Sequence, residues 1–341
     1  MNRFLVASAA AVVVCLLLVG CDVPTDPPIL EQRWVVPIEE TALSVDEFLP
    51  SGVTIVGSNF SVSIDPFLAT SSLATMCPAC TALNGLTVPL PAFSTSLSAS
   101  KILPADVSAA TIASAEVAVA VQNGLSFDPI AGGGSLTITI SDGQGGTTLG
   151  EVVVTGATMS PGGTLTRTVS IGASSIGATL FASVEVVSVG GQVALIETSE
   201  QVTVTATTTS LLASSATVDV GTQFVEFDPE ELDVEDIGSD VVKQVQEGSI
   251  VLDITNPFGV SIEGSIVIGT EQNPVTKSLS IGSGSTSSVT ITYTNAELRQ
   301  WLGQPGVTFS GSGTATGGSV TVSPSDELTI DITLDATIRI G

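Results

Sequence analysis

Apolar and polar residues alternate with a period of two along much of this chain. In SIVLDITNPFGVSIEGSIVI, residues 249 to 268, Ile250, Leu252 and Ile254 take every second position and Val251, Asp253 and Thr255 take the others. Such alternation gives a strand one apolar face and one mostly polar face. The same pattern runs through SLTITI (135–140), TLTRTVSI (164–171), EQVTVTAT (200–207), SSVTITY (287–293) and ELTIDITLDATIRI (327–340). Turn-forming words separate these runs: Asp142-Gly143, Pro161-Gly162-Gly163, Gly190-Gly191, Gly317-Gly318 and Ser323-Pro324. Two short helices interrupt them. Thr294 and Glu297 fit a capping box ahead of Leu298, Trp301 and Leu302, which share one face and make Trp301 a core plug, and Gly303 with Pro305 supplies the stop. A second short helix is expected from Ser239 through Val241, Val242 and Val245 to Gly248.

Many short strands with regular turn signals predict an all-β fold of tandem antiparallel sandwiches, immunoglobulin-like or fibronectin-like. A worn copy of the Ile250 segment, EVAVAVQNGLSFDP, begins at Glu116. Asn123 aligns with Asn256, Ser135 with Ser265, Gly163 with Ser287, Phe181 with Phe309, Gly191 with Gly318, and Val202 with Leu328. The order is collinear, which predicts two repeats of about 120 residues, a common domain size. The expected division is a signal at 1–20, a Pro-rich tether at 21–33 and an N-terminal extension or cap at 34–100, in which Trp34 and Val36 are buried anchors. Sandwich repeats follow at 101–220 and 221–341.

Pro257 has no N–H to give to a strand ladder, so Asn256-Pro257 belongs where pairing stops, at an edge or bulge. VLDITNPFGVSIEGSIVI resembles the type-2 late-embryogenesis-abundant domain, also called the water-hypersensitivity domain, where a hydrophobic strand ends on an Asn-Pro word. The resemblance spans about 90 residues from Ser249. Phe258 stands where that family commonly has a second Asn, and Gly124 stands where the first copy would need Pro. The resemblance implies a non-catalytic, stress-protective sandwich or one that handles apolar ligands.

At the N-terminus, MNRFLVASAAAVVVCLLLVGCD places one Arg before an unbroken apolar run from Phe4 to Leu18. This is the pattern of a secretion signal. Leu18-Val19-Gly20-Cys21 resembles the lipobox of bacterial lipoproteins. That resemblance implies cleavage after Gly20, a diacylglycerol on the Cys21 thiol, and a protein anchored in the cell envelope with either membrane leaflet open to it. Stable anchoring takes two acyl chains or more. The chain carries 8 Lys and Arg against 34 Asp and Glu, and losing Arg3 with the signal makes the balance more acidic still. Such a surface repels nucleic acid and anionic headgroups, so the membrane is expected as a partner through lipid alone.

Residues 224 to 240, FVEFDPEELDVEDIGSD, hold eight acids and no base. They fit a solvated acidic linker, or a calcium site built on Asp228, Glu230, Asp233, Glu235 and Asp236. Cys15 leaves with the signal and Cys21 is the lipid site, which leaves Cys77 and Cys80 in TMCPACTALNG as a short disulfide. The chain has no His, which removes Ser-His-Asp and Cys-His catalysis and His-ligated zinc. Few aromatic residues argue against sugar hydrolysis. The reading is a non-enzymatic, lipid-anchored binding or spacer module without cofactor, whose partner is an unidentified protein or apolar ligand. Its competitors are an apolar-ligand carrier with a sandwich cleft, and a calcium-dependent adhesion module.

Overall fold

The computed structural model describes residues 30–340. The described chain opens with β1 (Leu30–Ser44), the hairpin β2 (Val53–Val56) and β3 (Asn59–Val62), β4 (Phe67–Ser72), helix α1 (Leu73–Met76) and a short β5 (Thr87–Pro89). Next come β6 (Phe93–Ile102), β7 (Val107–Asn123), β8 (Ser135–Asp142), β9 (Thr148–Thr155), β10 (Thr164–Ile171), β11 (Ser174–Gly177), β12 (Thr179–Ser188) and β13 (Val193–Leu195). A 31-residue strand, β14 (Gln201–Glu231), leads to helix α2 (Ser239–Gln244). The rest is β15 (Val245–Thr255), β16 (Ser261–Thr270), β17 (Asn273–Ile281), β18 (Thr286–Thr294), helix α3 (Asn295–Trp301), β19 (Thr308–Val322) and β20 (Glu327–Ile340).

Every strand pairing among these residues is antiparallel, and the fold is all-β, built as two sandwiches. In the first, the sheet β10-β7-β14, with β4 on the far side of β14, faces the sheet β6-β12-β8-β9. In the second, β18-β15-β20-β1 faces β14-β19-β16-β17. The strand order of the first sandwich thus recurs in the second, and even β4 has a counterpart in β1. β14 serves both: its first half is the last strand of one sandwich and its second half is the first strand of the other. Thr217 pairs with Ala109 of β7 on one side and Thr321 of β19 on the other.

The period-two pattern sets the inner faces. Val117, Val119 and Val121 on β7, Leu136, Ile138 and Ile140 on β8, Ile250, Leu252 and Ile254 on β15, and Ile330, Ile332 and Leu334 on β20 are all buried. Each such side chain, taken out of water, contributes roughly 1.5–3 kcal/mol before entropy is counted. The aligned pair Phe181 and Phe309 does not share a face. Phe309 is buried, whereas Phe181 is half-buried and its neighbour Leu180 takes the inner position. A one-residue slip in a period-two pattern has just this result.

Asn123 and Asn256 stop their strands as hydrogen-bonding clasps. Both are fully buried. Asn123 Nδ2 donates to the carbonyls of Phe127 (2.8 Å) and Met159 (2.6 Å), and its Oδ1 accepts from Leu125 N–H at 2.9 Å. Asn256 Nδ2 donates to the carbonyls of Val260 (2.7 Å) and Gly282 (3.3 Å). In each case the first acceptor lies four residues on and the second lies in the connection that leads to the neighbouring edge strand. The residues after each Asn alternate in the same way: Leu125 and Phe127 are buried in one, Phe258 and Val260 in the other.

Several expectations need correction. β1 does not cap the first sandwich; it is an edge strand of the second, paired with β20 from Leu30↔Ile340 to Ser44↔Glu327. Trp34 and Val36 are not buried anchors: among the described residues no opposing layer covers this part of β1, and each is 37 % exposed. Residues 30–33 of the expected tether are paired strand. The segment 34–100 is divided between the sandwiches: β6 forms part of the first from Phe93, before the expected start at 101, and β3 and β4 pair with β14. β14 runs straight through the expected boundary at 220/221, because Val225 and Phe227 keep the inward alternation between Glu226 and Asp228.

Candidate functional site

The outer face of β18-β15-β20-β1 is a regular polar array. Antiparallel register lines up Thr286, Thr255 and Thr329 in one row, then Ser288, Asp253 and Asp331, then Thr290, Val251 and Thr333, then Thr292, Ser249 and Asp335, and finally Thr294, Glu247 and Thr337. Neighbouring strands stand about 4.8 Å apart, so hydroxyl and carboxylate groups form a grid. Two shallow depressions interrupt it. One, of about 360 Å³, is lined by Asp253, Thr255, Thr286, Ser288 and Asp331; the other, of about 290 Å³, by Arg33, Glu247, Ser249, Thr292, Asp335 and Thr337. Asp253 and Asp331 face each other directly across the strands, where like charges are destabilising unless something positive or strongly hydrogen-bonding sits over them. In the second depression Arg33 grips Asp335 with two parallel bonds, Nε to Oδ1 at 2.9 Å and Nη2 to Oδ2 at 2.7 Å. This bond to Arg33 lowers the Asp335 pKa, and the same contact raises that of Arg33. The array can donate and accept hydrogen bonds along a flat polar ligand but offers no aromatic ring for stacking.

Beneath one end of the same sheet lies a half-buried polar node. Thr294 caps α3 and Glu297 closes the capping box, as the sequence predicts. Lys277 Nζ bonds Glu297 Oε1 at 2.8 Å and sits 5.1 Å from the centre of the Tyr293 ring, which meets Trp301 edge-on at 5.9 Å. The Lys277 bond, with further bonds from the Thr294 backbone and hydroxyl, holds the Glu297 carboxyl down to about 2. Burial, reinforced by the Glu297 charge, pushes the Tyr293 phenol above its ordinary range. Trp301 is fully buried, the core plug its helical spacing predicts. The node braces α3 against the sandwich.

The acidic segment does not gather. Asp228 and Glu230 lie on β14 around a bulge, while Asp233, Glu235 and Asp236 lie in the connection to α2. Glu231, Asp233 and Glu235 border a depression of about 270 Å³. Among the described residues, however, no three acidic, His or Cys side chains come together closely enough to hold a metal ion. Cys77 and Cys80 are joined by a disulfide beside α1. Gly20 and Cys21 lie outside the described residues. Space between the sheets at Phe67, Leu97, Ala182 and Val204 amounts to about 10 Å³, whereas small-molecule sites are typically some 300 Å³ or more. An apolar cargo has no room there. The polar grid is the feature that sequence reasoning passed over. Its signal was the polar half of SSVTITY and ELTIDITLDATIRI, indistinguishable in one dimension from an ordinary solvated face.

Among the described residues, no helix is long and apolar enough to cross a membrane. No protein-family model and no curated protein matches the chain. Solved structures give loose likenesses. A candidate secreted protein from Parabacteroides distasonis superposes with a TM-score of 0.35 at 10% identity, over 89% of this chain and 99% of that one. The CBM22-1-CBM22-2 tandem domain of Paenibacillus barcinonensis Xyn10C gives 0.18 at 9% identity, over 80% and 98%. An infectious bursal disease virus structure, Gt strain, gives 0.21 at 10% identity, over 95% and 76%. With TM-scores this low, the sandwich architecture rests on the strand pairing itself.

Proposed function

We propose that this is a non-enzymatic protein of the cell envelope, held by lipid on Cys21, which displays two rigidly joined sandwiches as a binding and spacing module. The observation that carries the reading is β14, one unbroken strand shared by both sandwiches. A joint of this kind has no hinge loop, although register shifts along β14 and Gly221 at φ 56° bend the strand, so that its 31 residues at about 3.3 Å each set only an upper reach of roughly 100 Å. The matching strand orders and the paired Asn clasps support an origin by tandem duplication. The polar grid supplies the display surface, and the chain lacks the His on which the commonest hydrolytic sites depend.

Two measurements test this. Radiolabelled palmitate is expected to enter the wild type and not a Cys21→Ala variant; equal labelling of both removes the anchor. Small-angle scattering of protein lacking residues 1–21 is expected to fit a single rigid body in which the two sandwiches keep one fixed relation. A profile of two beads on a flexible joint removes the spacer.

A further inference from the structure

β1 exposes a mostly apolar strip, interrupted by Gln32, that continues the core face of its sheet. Leu30, Trp34 and Val36 pair with Ile340, Ala336 and Leu334, so their side chains point to the side on which Ala336 and Leu334 are buried. Yet Leu30 is 61 % exposed and Trp34 and Val36 are 37 % exposed. On the counterpart strand of the first sandwich, β4, Phe67 is fully covered. Past the bulge at Pro37/Glu39, β1 itself becomes buried at Thr41 and Leu43. Among the described residues, only the half of the strand nearest the N-terminus is left uncovered.

Its position in the chain says what covers it. Leu30 is nine residues on from Cys21, a reach of at most about 30 Å even when fully extended. A lipid on Cys21 therefore keeps this strip within that distance of the bilayer surface and at high effective concentration there. The residues between, DVPTDPPI, carry two acids and only Val23 and Ile29 as aliphatic side chains. A second copy is a poor occupant. Pro37 and the bulge blunt the strand edge against pairing, and a formal charge of −26 repels another copy. Tryptophan beside aliphatic residues suits the headgroup region, where the ring has an apolar body and a polar N–H.

We infer that the N-terminal half of β1 lies in the membrane interface, with Leu30, Trp34 and Val36 among the lipid headgroups, so that the second sandwich rests on the bilayer. This rests on the lipid-anchor reading above. The lipidated protein, reconstituted into phosphatidylcholine vesicles, is compared with and without bromine on the acyl chains near the headgroups. The chain has two tryptophans, and Trp301 is fully buried. Bromolipid is expected to remove the emission of one tryptophan, and a Trp34→Phe variant is expected to float with the vesicles as before while losing the bromolipid effect. Protein that floats yet keeps its full emission overturns the interface contact and leaves the anchor standing. Protein that fails to float overturns both. Cross-linked dimers in which Trp34 escapes quenching overturn it in favour of a second copy.

Discussion

At the scale of single residues, two asparagines carry the corners of this fold. A buried Asn bonded to two backbone carbonyls cannot be removed without taking a donor from both, at a cost of about 1–3 kcal/mol. Asn123→Ala and Asn256→Ala are each expected to lower unfolding free energy by about 2 kcal/mol in urea titrations, and an unchanged midpoint would show the clasps to be idle. The residue after each Asn differs for a local reason. Gly124 N–H donates to the Gln201 carbonyl, and a Cβ on Gly124 would stand 2.5 Å from that same oxygen. At the second corner Pro257 is exposed to solvent and has no N–H to give. The Asn-Pro word marks the end of pairing in the sequence. That the Asn is a clasp was not legible, because Met159 and Gly282 come to meet it from connections 36 and 26 residues away.

At the scale of elements, alternation was a good guide to strands and a poor guide to their neighbours. The runs at 135–140, 164–171, 287–293 and 327–340 fall within strands, and 200–207 does so from Gln201 onward. Helix α3 stands where its cap and stripe place it, whereas α2, expected from Ser239 to Gly248, ends at Gln244 because Val245 already opens β15. β14 was misjudged because eight acids from 224 onward look like a linker, although Val225 and Phe227 keep the beat between Glu226 and Asp228. β1 was misjudged because burial depends on the layer opposite, which periodicity within one strand does not encode. Helix α3 yields a pH prediction. The Glu297 carboxyl sits at about 2 in the fold against 4.5 when free. A lowered carboxylate stabilises the fold fully above its free value and loses that contribution as pH falls toward and through about 2. Because the pair is a quarter exposed, the contribution is about 1–2 kcal/mol. Glu297→Gln is therefore expected to be less stable than wild type at pH 7 by that amount, with urea midpoints converging near pH 2. A gap that persists in acid would assign the effect to packing.

At the scale of the molecule, the shared strand makes two sandwiches into one mechanical unit. Breaking the second half of β14 from β19 strips an edge from one sandwich and frays the strand that completes the other. Calorimetry is expected to show a single transition whose calorimetric and van't Hoff enthalpies agree. A Gly-Ser segment inserted after Ser214 should split it in two, and two transitions in the wild type would mean that the strand does not couple them.

The pairing of β1 with β20 ties the beginning of the described chain to its end, Leu30 to Ile340. A polypeptide made from its N-terminus delivers β1 early and its partner strand last. Until residue 340 has emerged, β1 has no ladder to join, and its apolar stripe and unpaired edge wait in the open. Contacts so distant in sequence also form slowly. Closure of the second sandwich therefore waits on completion of the chain, and during that interval the waiting strand needs a shelter for its apolar stripe.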